Sequence, residues 1–532
     1  MAASMSRRCL FALLALLASC GFDQQPRMGG TVTIAAGNDL DAANPLVSVC
    51  VWTNEILRFG LFTTLVRYGP ELEFEPYLAR DWEMEGDTAV VFHIRRDLSW
   101  HDGVPTTAHD VLFTFQRAKD PATGFANAGG YFSHWLEGEV IDSFTVRFRL
   151  EPHAEPLAGW PFTPIIPEHL LEEVPAAEMR HAPFNREPVG NGPLRFVSQR
   201  PNDRWVFEAN EDFPADLGGR PLIDRLVWRV IPDNTAQLTE LRVGTADLAL
   251  QSQAAHLAEY GERQGFRVLE KPSRQFYFIA WNGLRPPLDD PRVRKALAMA
   301  IDRDRMIAGL RKGLAEPAAG PIMPFHWSYD QSIGPLPHDP AVAVELLAQA
   351  GVRDRDGDGR LRKPDGSAFA IELKLPAGSE IHRDIAEAVR ADLAGIGVRV
   401  ETRATEVTTL FADVTSPDRR FDAALLGWST DLRLNLLDTF HSTALAGPYQ
   451  FASYANTELD RLIDDAATDL SRETATPRWQ EVQRILRDEQ PWTVLYYHRD
   501  GFLARDGLRG ADMDIRGALV NLPSWWVAAD PD

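Results

Sequence analysis

Cysteine, catalytic signatures and bilayer-length apolar runs are what this 532-residue chain is short of. The only cysteines are Cys9, Cys20 and Cys50. Cys9 lies in an N-terminal apolar segment and Cys20 at its end, so a mature chain keeps Cys50 without an intramolecular disulfide partner. A lone thiol in an oxidising compartment is safest inside, and Cys50 is expected in the core as a small hydrophobe. The run Cys9–Ser19 is too short to span a membrane. No GxSxG elbow, HExxH, Walker loop or Rossmann glycine pattern occurs. The 13 histidines are scattered, which argues against a nickel centre, and any Ser/His/Asp triad would rest on coincidence. An enzyme is therefore not expected, a secreted hydrolase with an unrecognised site being the alternative. Basic residues are also few, 55 against 76 acidic ones, for a formal charge of −21. Without basic stripes a nucleic-acid partner is excluded, and the charge suits a soluble surface.

What is present is ordinary globular composition, 45% hydrophobic and 25% charged. Length alone suggests roughly three or four domains. The N-terminus has the layout of an export signal, with Arg7 and Arg8 ahead of the apolar run. Leu17-Ala-Ser-Cys20 resembles the lipobox of bacterial lipoproteins, which implies cleavage after residue 19 and lipidation of Cys20. Loss of two arginines then takes the formal charge from −21 to −23. Residues 20–30 read as a tether, polar and glycine-bearing after the lipidated cysteine.

The most informative stretch is Phe421-Asp-Ala-Ala-Leu-Leu-Gly-Trp-Ser-Thr-Asp431. Phe421–Leu426 is a nearly continuous apolar run, as in a strand covered on both faces, and it ends in a polar tip. Ligands in open α/β sheets sit at the carboxyl ends of strands. Trp428 offers a flat face, Ser429 and Thr430 offer hydroxyls and Asp431 a charge, a set suited to a small polar ligand. A core tryptophan beside a helix cap is the alternative.

Elsewhere Thr31–Asn38 reads as a strand and Glu55–Leu65 as a helix. Val90, Phe92 and Ile94 alternate with polar residues, as do Val146, Phe148 and Leu150, which predicts half-exposed antiparallel strands. Thr106 or Thr107 caps a helix ending before Asp120-Pro121. Asp290-Pro291 and Asp339-Pro340 open two more helices, and Ile381–Leu393 and Leu459–Asp469 repeat the pattern. Strands at Val398–Arg403, Phe421–Trp428 and Val494–His498 alternate with them as in an α/β lobe.

Several spaced motifs carry a resemblance. Glu75-Pro-Tyr-Leu-Ala-Arg-Asp-Trp82 is followed by Phe92-His-Ile-Arg-Arg-Asp-Leu-Ser-Trp-His-Asp-Gly-Val-Pro-Thr-Thr-Ala-His-Asp-Val111. Pro188-Val-Gly-Asn-Gly-Pro-Leu-Arg-Phe196, Asp290-Pro-Arg-Val-Arg-Lys-Ala-Leu-Ala-Met-Ala-Ile-Asp-Arg303 and Tyr454-Ala-Asn-Thr-Glu-Leu-Asp-Arg-Leu462 complete the set. In this order they resemble solute-binding protein family 5, the extracytoplasmic peptide- and nickel-binding receptors of ABC importers.

The resemblance implies an α/β, two-lobed periplasmic-binding-protein fold of the large peptide-binding type II class. The first lobe would be discontinuous, at 27–68, 189–282 and 497–532, with an inserted subdomain at 69–188 and a second lobe at 283–496. It also implies a monomer that binds a small-molecule or peptide ligand, meets ABC importer permease subunits, and touches a membrane through its lipid alone, in the cell envelope at a periplasmic or extracellular face. In peptide-binding relatives an aspartate at the place of Asp431 holds the α-ammonium, so Asp431 is the leading ligand contact, with Trp428 and Ser429. Trp52, Tyr277, Asn282 and Tyr454 flank the cleft on the same grounds, each with a plain core or turn role as its alternative. Leu425 and Leu426 before the Gly-Trp pair, and Leu432–Asn435 after it, depart from the pattern. Peptide is thus the favoured ligand. An oligosaccharide stacked on some of the 14 tryptophans, or a nickel chelate, is the alternative.

Asp354-Arg-Asp-Gly-Asp-Gly359 places oxygens as a calcium loop does, with Asp365 at its twelfth position where an EF-hand has Glu. Asp354, Asp356, Asp358 and Asp365 are candidate ligands for a structural Ca2+, and an acidic surface turn is the alternative. No cofactor is required by any other feature.

Overall fold

The computed structural model describes residues 25–250, 253–416 and 418–528. The signal segment and Cys20 lie outside the described residues. No described helix is long and apolar enough to cross a membrane.

Among the described residues an eleven-stranded sheet runs through both lobes. Its order is Arg399–Thr405, Ala370–Pro376, Ala423–Ser429, Phe266–Trp281, Trp492–Arg505, Leu248–Ala249, Thr31–Ala36, Arg225–Val230, Arg204–Ala209 and Leu194–Arg200, and Ala315–Pro317 joins Trp492–Arg505 from the side. Two strands are long enough to serve both lobes, Phe266–Trp281 with 16 residues and Trp492–Arg505 with 14. Phe266–Pro272 pairs with Arg505–Arg499, the register then breaks, and pairing resumes at Phe276 with Tyr497. A ladder interruption leaves unpaired backbone free to bend, so the chain crosses between lobes at 272–276.

That crossing moves one expected boundary. Gln275–Trp281 pairs residue by residue with Ser429–Ala423, and so belongs to the second lobe's sheet rather than to a first lobe reaching 282. The crossing near residue 497 falls where Trp492–Arg505 passes from one lobe's strands to the other's.

Both faces of the central strands are covered, which is why Ala423–Leu426 and Phe276–Trp281 read as apolar runs. In the second lobe Ile279 and Leu425 face one buried cluster, while Phe278, Ala280, Ala424 and Leu426 face the other. In the first, Val32, Ile34 and Trp228 face one cluster and Ala35, Ala249 and Leu503 the opposite one.

The inserted segment carries a four-stranded antiparallel sheet, ordered Ala79–Glu85, Ala89–Ile94, Thr145–Leu150 and Trp135–Asp142. Val90 lies opposite Phe148 and Phe92 opposite Val146, and the alternate residues of each strand are buried. Helix Ala108–Lys119 closes that face, Phe115 meeting Phe148 edge-on at 5.0 Å. Thr107, not Thr106, caps it, in a capping box with Asp110.

Asp290 and Asp339 accept backbone N–H bonds from Arg292 and Val342 at the starts of helices Pro291–Ala300 and Pro340–Gln349. The helix expected at Glu55–Leu65 begins earlier, at Val51, and ends in a wider turn at Leu61. Cys50 departs from expectation. It is half-buried at the N-cap of that helix, held by its N–H donating to Asp41, because the cap lies in a surface loop rather than under the sheet.

Candidate ligand cleft

Strand Ala423–Ser429 delivers the candidate residues to the seam between the lobes. Side chains alternate along a strand, and the register puts Trp428 opposite Phe276 and Gly427 opposite Tyr277. Trp428 and Tyr277 therefore lie on opposite faces of the sheet. Trp428 packs among Tyr449 at 5.5 Å, Trp492 at 5.7 Å and Phe451 at 6.2 Å, so most of its ring serves an aromatic core. Tyr277 stands between His382, 5.2 Å away, and Tyr496, 5.5 Å away. Ser429 is exposed opposite Gln275, and the next N–H, from Thr430, donates to the Arg274 carbonyl at 2.9 Å, ending the strand.

Asp431 follows, and its carboxylate has local partners. One oxygen accepts the Leu432 N–H at 2.7 Å, and the other accepts Arg433 Nε at 3.1 Å and Nη2 at 2.9 Å. Arg433 thus supplies Asp431 with a cation from the chain itself. Leu432 is buried against Tyr68 and Leu72 of the facing segment. Arg433 also donates to the Gly130 carbonyl and lies 5.3 Å from the Tyr131 ring, while Arg472 pairs with Glu155 at 2.7 Å. Second-lobe side chains thus meet the first lobe and its insert all round Asp431. Burial first and the Asp431 charge second push Tyr131 up to about 12, and burial pushes His326 down to about 4.

Trp52 is half-buried against Phe502 at 5.9 Å and Trp228 at 6.4 Å, and it borders a cavity of about 510 Å³ that also touches Gln253, Gln275, Arg311 and His498. A second cavity, about 370 Å³, is shared by Arg58, Tyr68 and Leu432. A third, about 380 Å³, is shared by His153, Glu155, Trp327, Arg433 and Arg472.

Asn282 and Tyr454 do not join these walls. Asn282 is fully buried, its amide donating to the carbonyls of Arg419 and Phe421 and accepting from Leu284 N–H, so it ties a turn to the base of the central strand. Tyr454 is buried with its hydroxyl donating to Glu489 at 2.8 Å. Both take the plain structural role, because each hydrogen-bonding group is used internally.

The aspartate loop does not gather its carboxylates. Asp354 accepts the N–H groups of Gly357 at 2.8 Å, Gly359 at 2.9 Å and Asp356 at 3.2 Å. Asp356 and Asp358 turn to Arg362, at 2.8 and 3.2 Å, and Asp365 accepts from Ser367. Among the described residues no group of three or more acidic, histidine or cysteine side chains converges on a metal position. The geometry is that of the surface turn, with Arg362 in the place of a cation.

Arginines are what sequence reading missed. Arg58 is largely buried, its guanidinium 4.3 Å from the Phe59 ring and 4.9 Å from that of Phe162, and Arg274 approaches Phe162 from the crossing at 6.0 Å. Burial lowers the Arg58 pKa, Glu55 opposes that, and Arg274 adds to it. Arg311, Arg433 and Arg472 also line these cavities, Arg433 paired with Asp431 and Arg472 with Glu155. Nothing in their local sequence distinguishes them from surface arginines.

Comparison with known proteins agrees with this architecture. Residues 73–444 match the family described as bacterial extracellular solute-binding proteins, family 5 Middle. Over 513 residues the chain is 28% identical to the oligopeptide-binding protein AppA of Bacillus subtilis, covering 95% of this chain and 93% of that one. It is 30% identical over 456 residues to heme-binding protein A of Haemophilus influenzae, covering 81% and 80%. The structure of Bacillus subtilis AppA with a nonapeptide superposes with a TM-score of 0.70 at 27% identity, over 95% of this chain and all (100%) of that one.

Proposed function

This chain belongs to the bacterial extracellular solute-binding proteins of family 5, and we propose that within that family it captures short peptides between its lobes for an ABC importer. Such proteins are transport components without catalytic activity, and their place is outside the cytoplasm. The observation that carries the peptide reading is the mixture of charge at the seam. The half-buried carboxylate of Asp431 is paired with Arg433, and Tyr131 feels its charge together with those of Arg274 and Arg58, so charges of both signs are at hand for the two termini of a zwitterionic peptide. The three cavities supply room for side chains on either side of it. A neutral oligosaccharide would leave those charges unmatched in a closed cleft.

In this reading ligand binding favours closure about the 272–276 crossing, and permease subunits engage the closed form. A lipid on Cys20 would hold the monomer at the outer face of a membrane. A second reading takes its support from the cavity beside His153, where a histidine, Trp327 and two arginines suit an iron porphyrin carrying carboxylates. Mass spectrometry of the ligand that co-purifies, with an absorbance spectrum of the same sample, separates the two. Peptides with free termini are the expected result, a porphyrin band supports the second reading, and a neutral glycan would sink both.

A further inference from the structure

Where the inserted segment meets the second lobe, two imidazoles lie face to face. The rings of His134 and His153 are 4.1 Å apart and 16° from parallel. Their other contacts fix where each proton sits. His134 Nε2 is 3.0 Å from the Pro156 carbonyl, which can only accept, so His134 carries its proton there. Its Nδ1 is buried without a hydrogen-bond partner among the described residues. His153 Nδ1 accepts the Glu155 N–H at 3.1 Å, so that nitrogen is bare and the ring neutral. A second proton is unwelcome on either ring. On His134 it would bury an N–H with nothing to receive it, and on His153 it would break the bond from Glu155.

The charges around the stack are mostly cationic, and most of them belong to the opposite lobe. Arg433 and Arg472, on the second lobe, line the cavity of about 380 Å³ that His153 borders. Arg433 is turned to Asp431 and to the Gly130 carbonyl, and Arg472 to Glu155 at 2.7 Å. Lys119, on the insert's own helix, donates to the Trp135 carbonyl. Two acids share the cavity wall, and both are engaged, Glu155 by Arg472 and Asp469 by Arg478 at 2.7 Å. Burial first and Arg433 second hold His153 below its ordinary value. Burial, with the charges of His153, Arg433 and Lys119 behind it, outweighs the Pro156 carbonyl and pushes His134 down to about 4. At pH 5 and above the stack therefore takes at most one proton, on His153.

We propose that the His134–His153 stack is an acid-sensitive latch: closure holds His153 neutral against Arg433 and Arg472, and a proton on His153 releases the second lobe from the insert. The two arginines ride on the second lobe and the stack on the insert, so opening carries the cations away and wets the ring. The open form then takes up its proton at a higher pH than the closed form, and linkage makes acid favour opening. An imidazolium at 153 also competes with Arg472 for Glu155, which loosens the ion pair across the seam as the ring charges. Ligand is thus held at neutral pH and let go in acid. The latch rests on the reading in which the lobes close on a ligand, and it is indifferent to the ligand's class.

The test is small-angle scattering on the purified full chain at pH 7.5, 6.5 and 5.5, without ligand and with tri-alanine, near-ultraviolet circular dichroism confirming that the fold persists. The radius of gyration should rise toward pH 5.5, in step with protonation of the His153 ring followed by NMR of histidine-labelled protein. Affinity for tri-alanine should fall over the same range, by up to about tenfold for each unit that separates the His153 pKa values of the open and closed forms. His153→Gln, which cannot take the proton, should remove the pH dependence of both readings. Should that variant fail to fold, Arg433→Gln takes its place, since losing the facing cation should shrink the change in radius between pH 7.5 and 5.5. A radius that does not respond to pH in the unaltered protein, or an undiminished response in the folded variant, overturns the latch, and the peptide reading stands wherever tri-alanine still binds. If tri-alanine binds at no pH the peptide reading fails, and scattering on the ligand-free protein decides the latch alone.

Discussion

Arg433 holds the carboxylate of Asp431, two residues before it, through Nε at 3.1 Å and Nη2 at 2.9 Å, while its Nη1 donates to the Gly130 carbonyl across the seam. A ligand ammonium must therefore share Asp431 with an internal cation. Asp431→Asn should weaken free-amine peptides by about 1.5–3 kcal/mol, the range for hydrogen bonds to charged groups. Arg433→Gln should strengthen the same peptides, and N-acetylation should cost the unaltered protein what Asp431→Asn does. Titration calorimetry across the two variants reads all three, and equal affinity for acetylated peptides removes Asp431 from ligand contact.

Leu432 joins Tyr68 and Leu72 in an apolar cluster that bridges the two lobes. Leu432→Ala should cost the closed form about 2 kcal/mol, the lower end for a buried leucine, and leave each lobe's own core intact. Small-angle scattering with saturating ligand should show a larger radius of gyration than for the unaltered protein, with the melting temperature nearly unchanged. A large fall in melting temperature would mean that the cluster supports the fold rather than closure.

Acid should destabilise the protein before its carboxylates titrate. Burial pushes His101 and His326 down to about 4. Unfolded, each takes a proton near 6.5, so the unfolded state binds protons first as pH falls. The stability this confers is complete above pH 6.5 and declines between 6.5 and 4. Asp500 follows lower down, since burial raises it but His498 and Lys271 outweigh that and hold it at about 2, so its contribution is lost between pH 3.8 and 2. Melting temperatures measured from pH 7.5 to 4 should fall, less steeply for His326→Gln. A flat profile would contradict neutral burial of both histidines.

The aspartate loop should be indifferent to calcium, because backbone N–H groups and Arg362 already occupy its carboxylates. Equal melting temperatures in calcium and in chelator are the expected result. A calcium-dependent rise that Asp354→Ala abolishes would restore the ion-binding loop.

If Cys20 carries lipid, Cys20→Ser should move the protein from the membrane fraction to the soluble envelope fraction of expressing cells. Unchanged sedimentation with membranes would rule out the lipobox.

Much of the local structure was legible in the sequence. Val90, Phe92 and Ile94 against Val146, Phe148 and Leu150 announce a half-covered sheet, because a period of two separates a buried face from a wet one. Asp290-Pro291 and Asp339-Pro340 announce helix starts, because a carboxylate one residue before proline caps donors within the next turn. Such rules act over a few neighbouring residues. Family motifs spread over the chain added the two-lobed plan, which no periodicity contains.

What tertiary structure alone decided is which of these residues meet. Trp428 and Tyr277 looked alike as cleft aromatics, yet a register of one residue puts them on opposite faces, and register is settled by the partner strand. Asn282 looked available until its three internal partners were found in a buried turn. The crossing at 272–276 depends on where two strands 200 and more residues apart lose their pairing. The seam depends on pairs such as Arg472 with Glu155, separated by 317 residues. Charge complementarity acts through space over a few ångströms, so an arginine's role is set by whatever the fold carries to it, and a sequence read in order holds no trace of that.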